Sequence, residues 1–228
     1  GGFSFNYHKH INTGEGGVII TNSKKLAQRM RLIRNHGEAV IKDNKALQNN
    51  IIGHNFRLGE IEASIAVEQY KKLKNIVKER QRICRMLTNG LSQFKGLILP
   101  RETKKISHNY YIYPIKLDRN IISESRTRII NLLKKEGVQG LIDGYGAINN
   151  LPIFKNKIAY GKKKFPWSLR KKTLKNKDKC ENSEKLNEGI FFGMEVCLFE
   201  LNNKDIRLII QSFKKVWNNI KKNSHNFV

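Results

Sequence analysis

Ser4-Phe5-Asn6-Tyr7-His8-Lys9-His10-Ile11-Asn12-Thr13-Gly14-Glu15-Gly16-Gly17-Val18-Ile19-Ile20 is the stretch that decides how the chain is read. Two runs of strand character, Gly2 to Asn6 and Gly17 to Thr21, flank a connection crowded with His, Asn, Thr and Gly. That pattern predicts a tight turn from which Lys9 projects. A lysine amine condenses with a carbonyl to a Schiff base, best where burial or a nearby cation keeps it as the free amine near neutral pH. His8 and His10 flank Lys9, and the glycines that follow let backbone approach a bound group closely. Taken singly, any lysine of so basic a chain is a solvated surface charge.

A second informative stretch is Gly53-His54-Asn55-Phe56-Arg57-Leu58-Gly59-Glu60-Ile61-Glu62-Ala63. It opens a long amphipathic segment in which Ile61, Ile65, Tyr70, Leu73, Val77 and Ile83 keep a helical stripe as far as Leu91. On local chemistry alone, Asn55 caps or turns the chain and Arg57 pairs with Glu60 or Glu62.

Ser4-Phe5, three variable residues, Lys9, then Gly14-Glu15-Gly16-Gly17 and an apolar strand, with the Asn55 stretch behind it, resembles the DegT/StrS family of fold-type I sugar aminotransferases. The resemblance implies an α/β, fold-type I transferase dependent on pyridoxal 5'-phosphate. Lys9 then carries the cofactor covalently and moves the proton between cofactor and substrate carbons, and Ser4 holds the cofactor phosphate. Asn55 reaches the cofactor phosphate of the neighbouring subunit in a homodimer, and Arg57 helps to build that interface. His54 stands where an aromatic is more usual. A sister group of dehydratases carries histidine at the Lys9 position, so Lys9 favours transamination over loss of a sugar hydroxyl. The neighbouring His10 invites a one-residue slip of alignment, but Ser4 and Gly14 fix the register on Lys9. The expected substrates are a nucleotide-linked keto sugar and an amino-acid donor, commonly glutamate, with Arg57, His108 and Tyr145 as candidate substrate contacts. For His108 and Tyr145, core or turn packing is the alternative.

In that family a long amino-terminal half supplies most of the cofactor pocket. A chain that opens Gly1-Gly2-Phe3-Ser4 directly in a strand is therefore expected to be a carboxy-terminal part, inactive by itself. Residues 1–58 are expected to be the remnant of a large cofactor-binding domain with a mostly parallel sheet, 59–94 a connecting helix, and 95–228 a small α/β domain.

Elsewhere, Ser23 is an N-cap for a helix carrying Leu26, Met30 and Ile33, stopped by Asn35-His36-Gly37, with Arg29, Arg31 and Arg34 on a solvated face. Residues 38 to 53 form a polar, aperiodic loop. His108 to Leu117 is a strand, placed at a sheet edge by Pro114. Ser125 to Lys135 is a helix ended by Gly137, and Gly140 to Tyr145 a strand. The basic segment Lys162 to Lys179 surrounds Phe165-Pro166-Trp167. It suits either stacking of a nucleotide or single strand, or, more simply, a solvated loop pinned by a buried Trp167. A helix near Asn182 to Glu188, a strand from Met194 to Phe199 and a helix from Asn203 with Ile206, Ile209, Ile210, Phe213 and Trp217 inward complete the chain, ahead of a polar tail after Lys221.

Composition narrows the function classes. The 228 residues carry 44 Lys plus Arg against 19 Asp plus Glu, a net charge of +25 that raises nucleic acid as a rival partner. The basic residues are scattered among many Asn with no nucleic-acid-binding motif to focus them, so nucleic acid is not the expected partner. Cys84, Cys180 and Cys197 have neither disulfide-framework nor zinc spacing, so no metal is expected. The apolar runs are too short for a membrane span, and a cytoplasmic protein is the default.

Overall fold

The hairpin around Lys9 forms. β1 (Gly2–Ser4) and β2 (Gly17–Ile19) pair antiparallel, with Gly2 opposite Ile19 and Ser4 opposite Gly17. The computed structural model describes residues 1–38, 51–169 and 180–224. Most of the loop expected at 38 to 53, the basic run beyond Leu169 and the last four residues lie outside those described. The chain divides into two units, Gly1–Glu79 and Arg80–Val228.

In the first unit, α1 (Lys24–Arg34) starts where the Ser23 hydroxyl accepts the Leu26 N–H at 3.3 Å. It stops where His36 and Gly37 turn left-handed, at φ 57° and 81°, and Gly37 N–H returns to the Leu32 carbonyl at 2.8 Å. Arg29, Arg31 and Arg34 are exposed, and Leu32 is the side chain that α1 buries. α2 (Glu60–Leu91) is the long helix expected from the stripe. Its first turns bury little: Ile61 is 74% and Tyr70 70% exposed. With Phe3, Val18 and Phe56, Tyr70 borders an apolar groove of about 1460 Å³ in this unit.

The second unit holds the core. β3 (Leu97–Ile98), β4 (Tyr113–Leu117), β5 (Leu141–Ile142) and β6 (Phe191–Met194) form an antiparallel sheet in the order β3-β4-β6-β5. Against it lie the end of α2, α3 (Arg126–Lys135) and α6 (Asn203–Ser224); two short helices, α4 (Pro152–Asn156) and α5 (Glu181–Lys185), precede β6. Tyr113, Ile115 and Leu117 alternate inward along β4, and α6 buries Ile206, Phe213 and Trp217 with Ile209 and Ile210 at the margin. Gly90 sits inside α2 because a Cβ there would run into the Ile210 side chain of α6.

Two expectations are corrected. Pro114 does not mark an edge strand: β4 lies between β3 and β6, with Pro114 opposite Gly193. The proline is tolerated because β3 pairs only with Lys116 and Leu117, so at Pro114 the strand has a ladder on one side only. The last strand spans Phe191–Met194, not Met194 to Phe199. Its start follows Gly189 at φ 127°, and beyond Met194 the backbone turns as Val196 N–H bonds the Met194 carbonyl.

This core also predicts alkaline sensitivity. Burial pushes the Cys84 thiol and the Tyr113 and Tyr110 phenols well above their ordinary values of 9.0 and 10.0, with Glu102 adding to Tyr110. These groups ionise in the unfolded chain first, so the stability tied to them is complete below about pH 9 and is lost as pH rises. The urea midpoint of the second unit is expected to fall from about pH 8 to about pH 11, and less steeply in Tyr113→Phe. A midpoint flat across that window would contradict this account.

Candidate functional site

Lys9 is held by a closed loop. Its N–H bonds the Asn6 carbonyl at 3.0 Å, making a turn over residues 6–9, while Phe5 N–H bonds the Gly16 carbonyl at 2.9 Å and Thr13 N–H the Phe5 carbonyl at 3.0 Å. Gly16 adopts φ 137°, and a Cβ there would lie 2.9 Å from Leu58, so glycine is required where the returning strand meets the approach to α2. The Lys9 side chain is half-buried, with Nζ 3.4 Å from His8 Nε2. Ser4, at the end of β1, accepts the Asn6 N–H on its Oγ at 3.1 Å. Asn6 donates to Glu15 Oε1 at 2.7 Å and keeps a buried Oδ1 with no hydrogen-bond partner among the described residues.

Asn55 and Arg57 lie in the same unit, on a segment that runs back along the end of α1. His54 N–H bonds the Ile33 carbonyl, Phe56 N–H bonds the Arg34 carbonyl, and Asn55 bridges to Asn35. The Asn55 Oδ1 accepts the Arg57 N–H at 3.4 Å, a weak turn contact of the kind its residue type favours. Arg57 pairs with neither Glu60 nor Glu62: its Nη1 donates to Asn35 Oδ1 at 2.8 Å. The sequence marked Asn35 only as part of the helix stop; its role as the partner of Arg57 was not visible there, since that contact spans 22 positions.

His108 and Tyr145 lie in the other unit. The His108 ring stacks on Tyr110 at 4.2 Å, and its Nδ1 accepts the Tyr110 N–H at 2.8 Å, which leaves the proton of the neutral ring on Nε2. Tyr145 is exposed, its hydroxyl 3.0 Å from that of Tyr111. It lines a cavity of about 810 Å³ with Phe154, Trp167 and Phe191. Trp167 is therefore not the buried pin of a solvated loop but a half-buried wall of a cavity. No short-range pattern announced that grouping, because its aromatic residues come from four separate segments.

The residues at the hairpin fit pyridoxal phosphate in chemistry. Lys9 supplies an amine for its aldehyde. The Ser4 hydroxyl, which uses its oxygen to accept from Asn6, has its own hydrogen to donate to a phosphate. Among the described residues, no cluster of His, Cys, Asp or Glu is suited to a metal, and no helix is long and apolar enough to cross a membrane.

A sequence profile described as the DegT/DnrJ/EryC1/StrS aminotransferase family matches residues 1–173. The chain is 29% identical over 136 residues to UDP-4-amino-4,6-dideoxy-N-acetyl-beta-L-altrosamine transaminase of Helicobacter pylori, and 30% identical over 138 residues to GDP-perosamine synthase of Caulobacter vibrioides. Each match takes in 60% of this chain and 36% of the relative. Among solved structures, Helicobacter pylori PseC, an aminotransferase involved in the biosynthesis of pseudoaminic acid, superposes with a TM-score of 0.73 at 23% identity, over 96% of this chain and 53% of its own. The chain thus spans about half the length of these relatives or less. The α/β, fold-type I architecture expected from the sequence is the one it has.

Proposed function

Because the chain belongs to the DegT/DnrJ/EryC1/StrS aminotransferase family, we propose that it serves a pyridoxal-phosphate aminotransferase that converts a nucleotide-linked keto sugar to an amino sugar, with glutamate as donor. The observation that carries this reading is Lys9, half-buried on a closed turn with Ser4 on the same hairpin. The cofactor, when bound, supplies the electron sink that stabilises negative charge on the reacting carbon.

The protein's own part is positioning and proton movement. Lys9 would hold the cofactor through its amine and, as the free amine, would serve as the base that moves the proton at the reacting carbon. The His8 ring beside Nζ limits where that amine swings. Ser4 donates its hydroxyl hydrogen to the cofactor phosphate. Asn55 is proposed to reach the cofactor phosphate of a second copy in a homodimer, with Arg57 tied to Asn35 bracing the segment that carries it. His108 and Tyr145 are proposed substrate contacts through His108 Nε2 and the Tyr145 hydroxyl. The proposed domain limits are 1–58, 59–94 and 95–228. Cys84, Cys180 and Cys197 form no disulfide with one another, which suits a reducing, cytoplasmic compartment.

The test is transfer of isotopically labelled nitrogen from glutamate, by the protein co-expressed with the family's amino-terminal half, to a nucleotide-linked keto sugar. Label is expected on the sugar carbon that bore the carbonyl. Loss of a sugar hydroxyl without gain of label would make the protein a dehydratase, and no reaction on any keto sugar would remove the assignment.

A further inference from the structure

Sequence neighbours in a strand or a helix point away from each other, so His8 and Lys9 meet only because the chain turns at residues 6–9. The turn is closed by the Lys9 N–H on the Asn6 carbonyl at 3.0 Å, and it sets Lys9 Nζ 3.4 Å from His8 Nε2, with both residues half-buried. The His8 ring is itself oriented. Tyr7 meets it edge to face, with ring centroids 4.8 Å apart and planes at 88°. The hairpin carries one carboxylate, Glu15, and Asn6 Nδ2 engages it at 2.7 Å.

A lysine ammonium has three donors and no acceptor, whereas an imidazole nitrogen takes either role according to its tautomer. A protonated Lys9 therefore makes Nε2 the acceptor and places the proton of the neutral His8 ring on Nδ1. At 3.4 Å the contact is longer than a charge-assisted hydrogen bond of about 2.7–2.9 Å, as contacts at a reactive site often are until the reacting groups are in place. A base that collects a proton and must return it needs a fixed place for the protonated amine in between, because a flexible four-carbon stem otherwise swings it out of line. We propose that His8 is a positioning residue of the Lys9 chemistry: its Nε2 accepts a hydrogen bond from the protonated Lys9 amine and holds that amine at the reacting carbon until the proton is delivered. The proton movement rests on the proposed function; the hydrogen bond does not.

Two replacements separate this bond from the bulk of the ring. His8→Phe keeps an aromatic ring for Tyr7 and removes the nitrogen, whereas His8→Gln gives up the ring and puts an amide oxygen within similar reach. In protein loaded with pyridoxal phosphate, His8→Phe is expected to lower kcat for nitrogen transfer about tenfold or more, as loss of one hydrogen bond to a charged group does. KM for the keto sugar is expected to stay within about twofold, because the bond acts on the proton step and not on substrate binding. A donor deuterated at its reacting carbon is expected to slow His8→Phe more than the parent protein, since proton movement then limits turnover. His8→Gln is expected to recover most of the lost rate.

The hydrogen bond is read separately, in the full chain without cofactor, by NMR of isotope-labelled histidine rings. The six histidines are told apart by replacing each in turn with glutamine. His8 is expected to carry its proton on Nδ1 with a hydrogen-bonded, unprotonated Nε2, and Lys9→Met is expected to shift the Nε2 signal.

A proton found on His8 Nε2, or ring signals that ignore Lys9→Met, would overturn the inference. So would a His8→Phe protein that turns over at the parent rate, or a loss in His8→Gln as large as in His8→Phe, which would leave the ring as packing alone. A ring that responds to Lys9 in a protein that moves no nitrogen would keep the hydrogen bond and discard the aminotransferase. Nitrogen transfer beside a ring indifferent to Lys9 would do the reverse.

Discussion

Replacing Lys9 by alanine is expected to lower nitrogen transfer by at least about 10²- to 10⁴-fold, the span that one positioned proton-transfer group contributes. The loss is specific to the side chain. The turn that presents Lys9 is closed by backbone bonds from Lys9 to Asn6, Thr13 to Phe5 and Phe5 to Gly16, none of which needs the amine. Lys9→Ala therefore leaves the hairpin folded, and its urea midpoint stays near that of the parent protein. A small primary amine added to the solution is expected to restore part of the rate, because it supplies the missing base without the tether. Ser4→Ala, by contrast, is expected to weaken cofactor retention about tenfold, as loss of one hydrogen bond to a charged group does, while sparing the proton steps. A Lys9→Ala protein that still transfers nitrogen at the parent rate would assign the chemistry to another group.

The largest effect on stability is expected at Phe213. Its side chain is fully buried at the centre of the second unit, stacked against Trp217 at 5.7 Å and Phe94 at 6.4 Å. Phe213→Ala removes the ring and leaves a cavity that α6, pinned at Trp217 Nε1 to the Lys95 carbonyl, cannot collapse to fill. The cost is about 3–5 kcal/mol. Leu208, on the same helix and 50% exposed, provides the control, since Leu208→Ala is expected to change stability by no more than about 0.5 kcal/mol. Equal urea midpoints for the two variants would show that α6 does not anchor this core.

Much of this was legible in the sequence, for physical reasons that differ by element. Ser23 capped α1 as its hydroxyl chemistry dictates, and the stripe from Ile206 to Trp217 marked the face of α6 that is buried, because both are local patterns of helical period. The hairpin was legible because the Lys9 connection returns through backbone at positive φ, at Gly14 (84°) and Gly16 (137°), where glycine is the residue type that fits. The last strand was misplaced because the stretch from Ile190 to Phe199 is apolar on both sides of Gly193 and Glu195, so no local pattern says which part pairs. Its limits come from pairing with Tyr113 to Lys116, far away in sequence. Pro114 misled for a related cause: whether a proline interrupts a ladder depends on where the neighbouring strand ends. Arg57 was matched to Glu60 and Glu62 because partners a few positions away are what a sequence displays, whereas Asn35 becomes its partner only when the α1 stop folds back. The aromatic cavity is the extreme case, since Tyr145, Phe154, Trp167 and Phe191 share no period and meet only in the folded unit.

The central claim is that one lysine among the many cations of this chain holds the cofactor. Borohydride reduction of the protein loaded with pyridoxal phosphate fixes any lysine–cofactor bond for peptide mapping by mass spectrometry. The account predicts a stoichiometric label on the peptide that contains Lys9, and none there after Lys9→Ala. A label confined to another lysine, or scattered over the surface lysines of a folded protein, would contradict it.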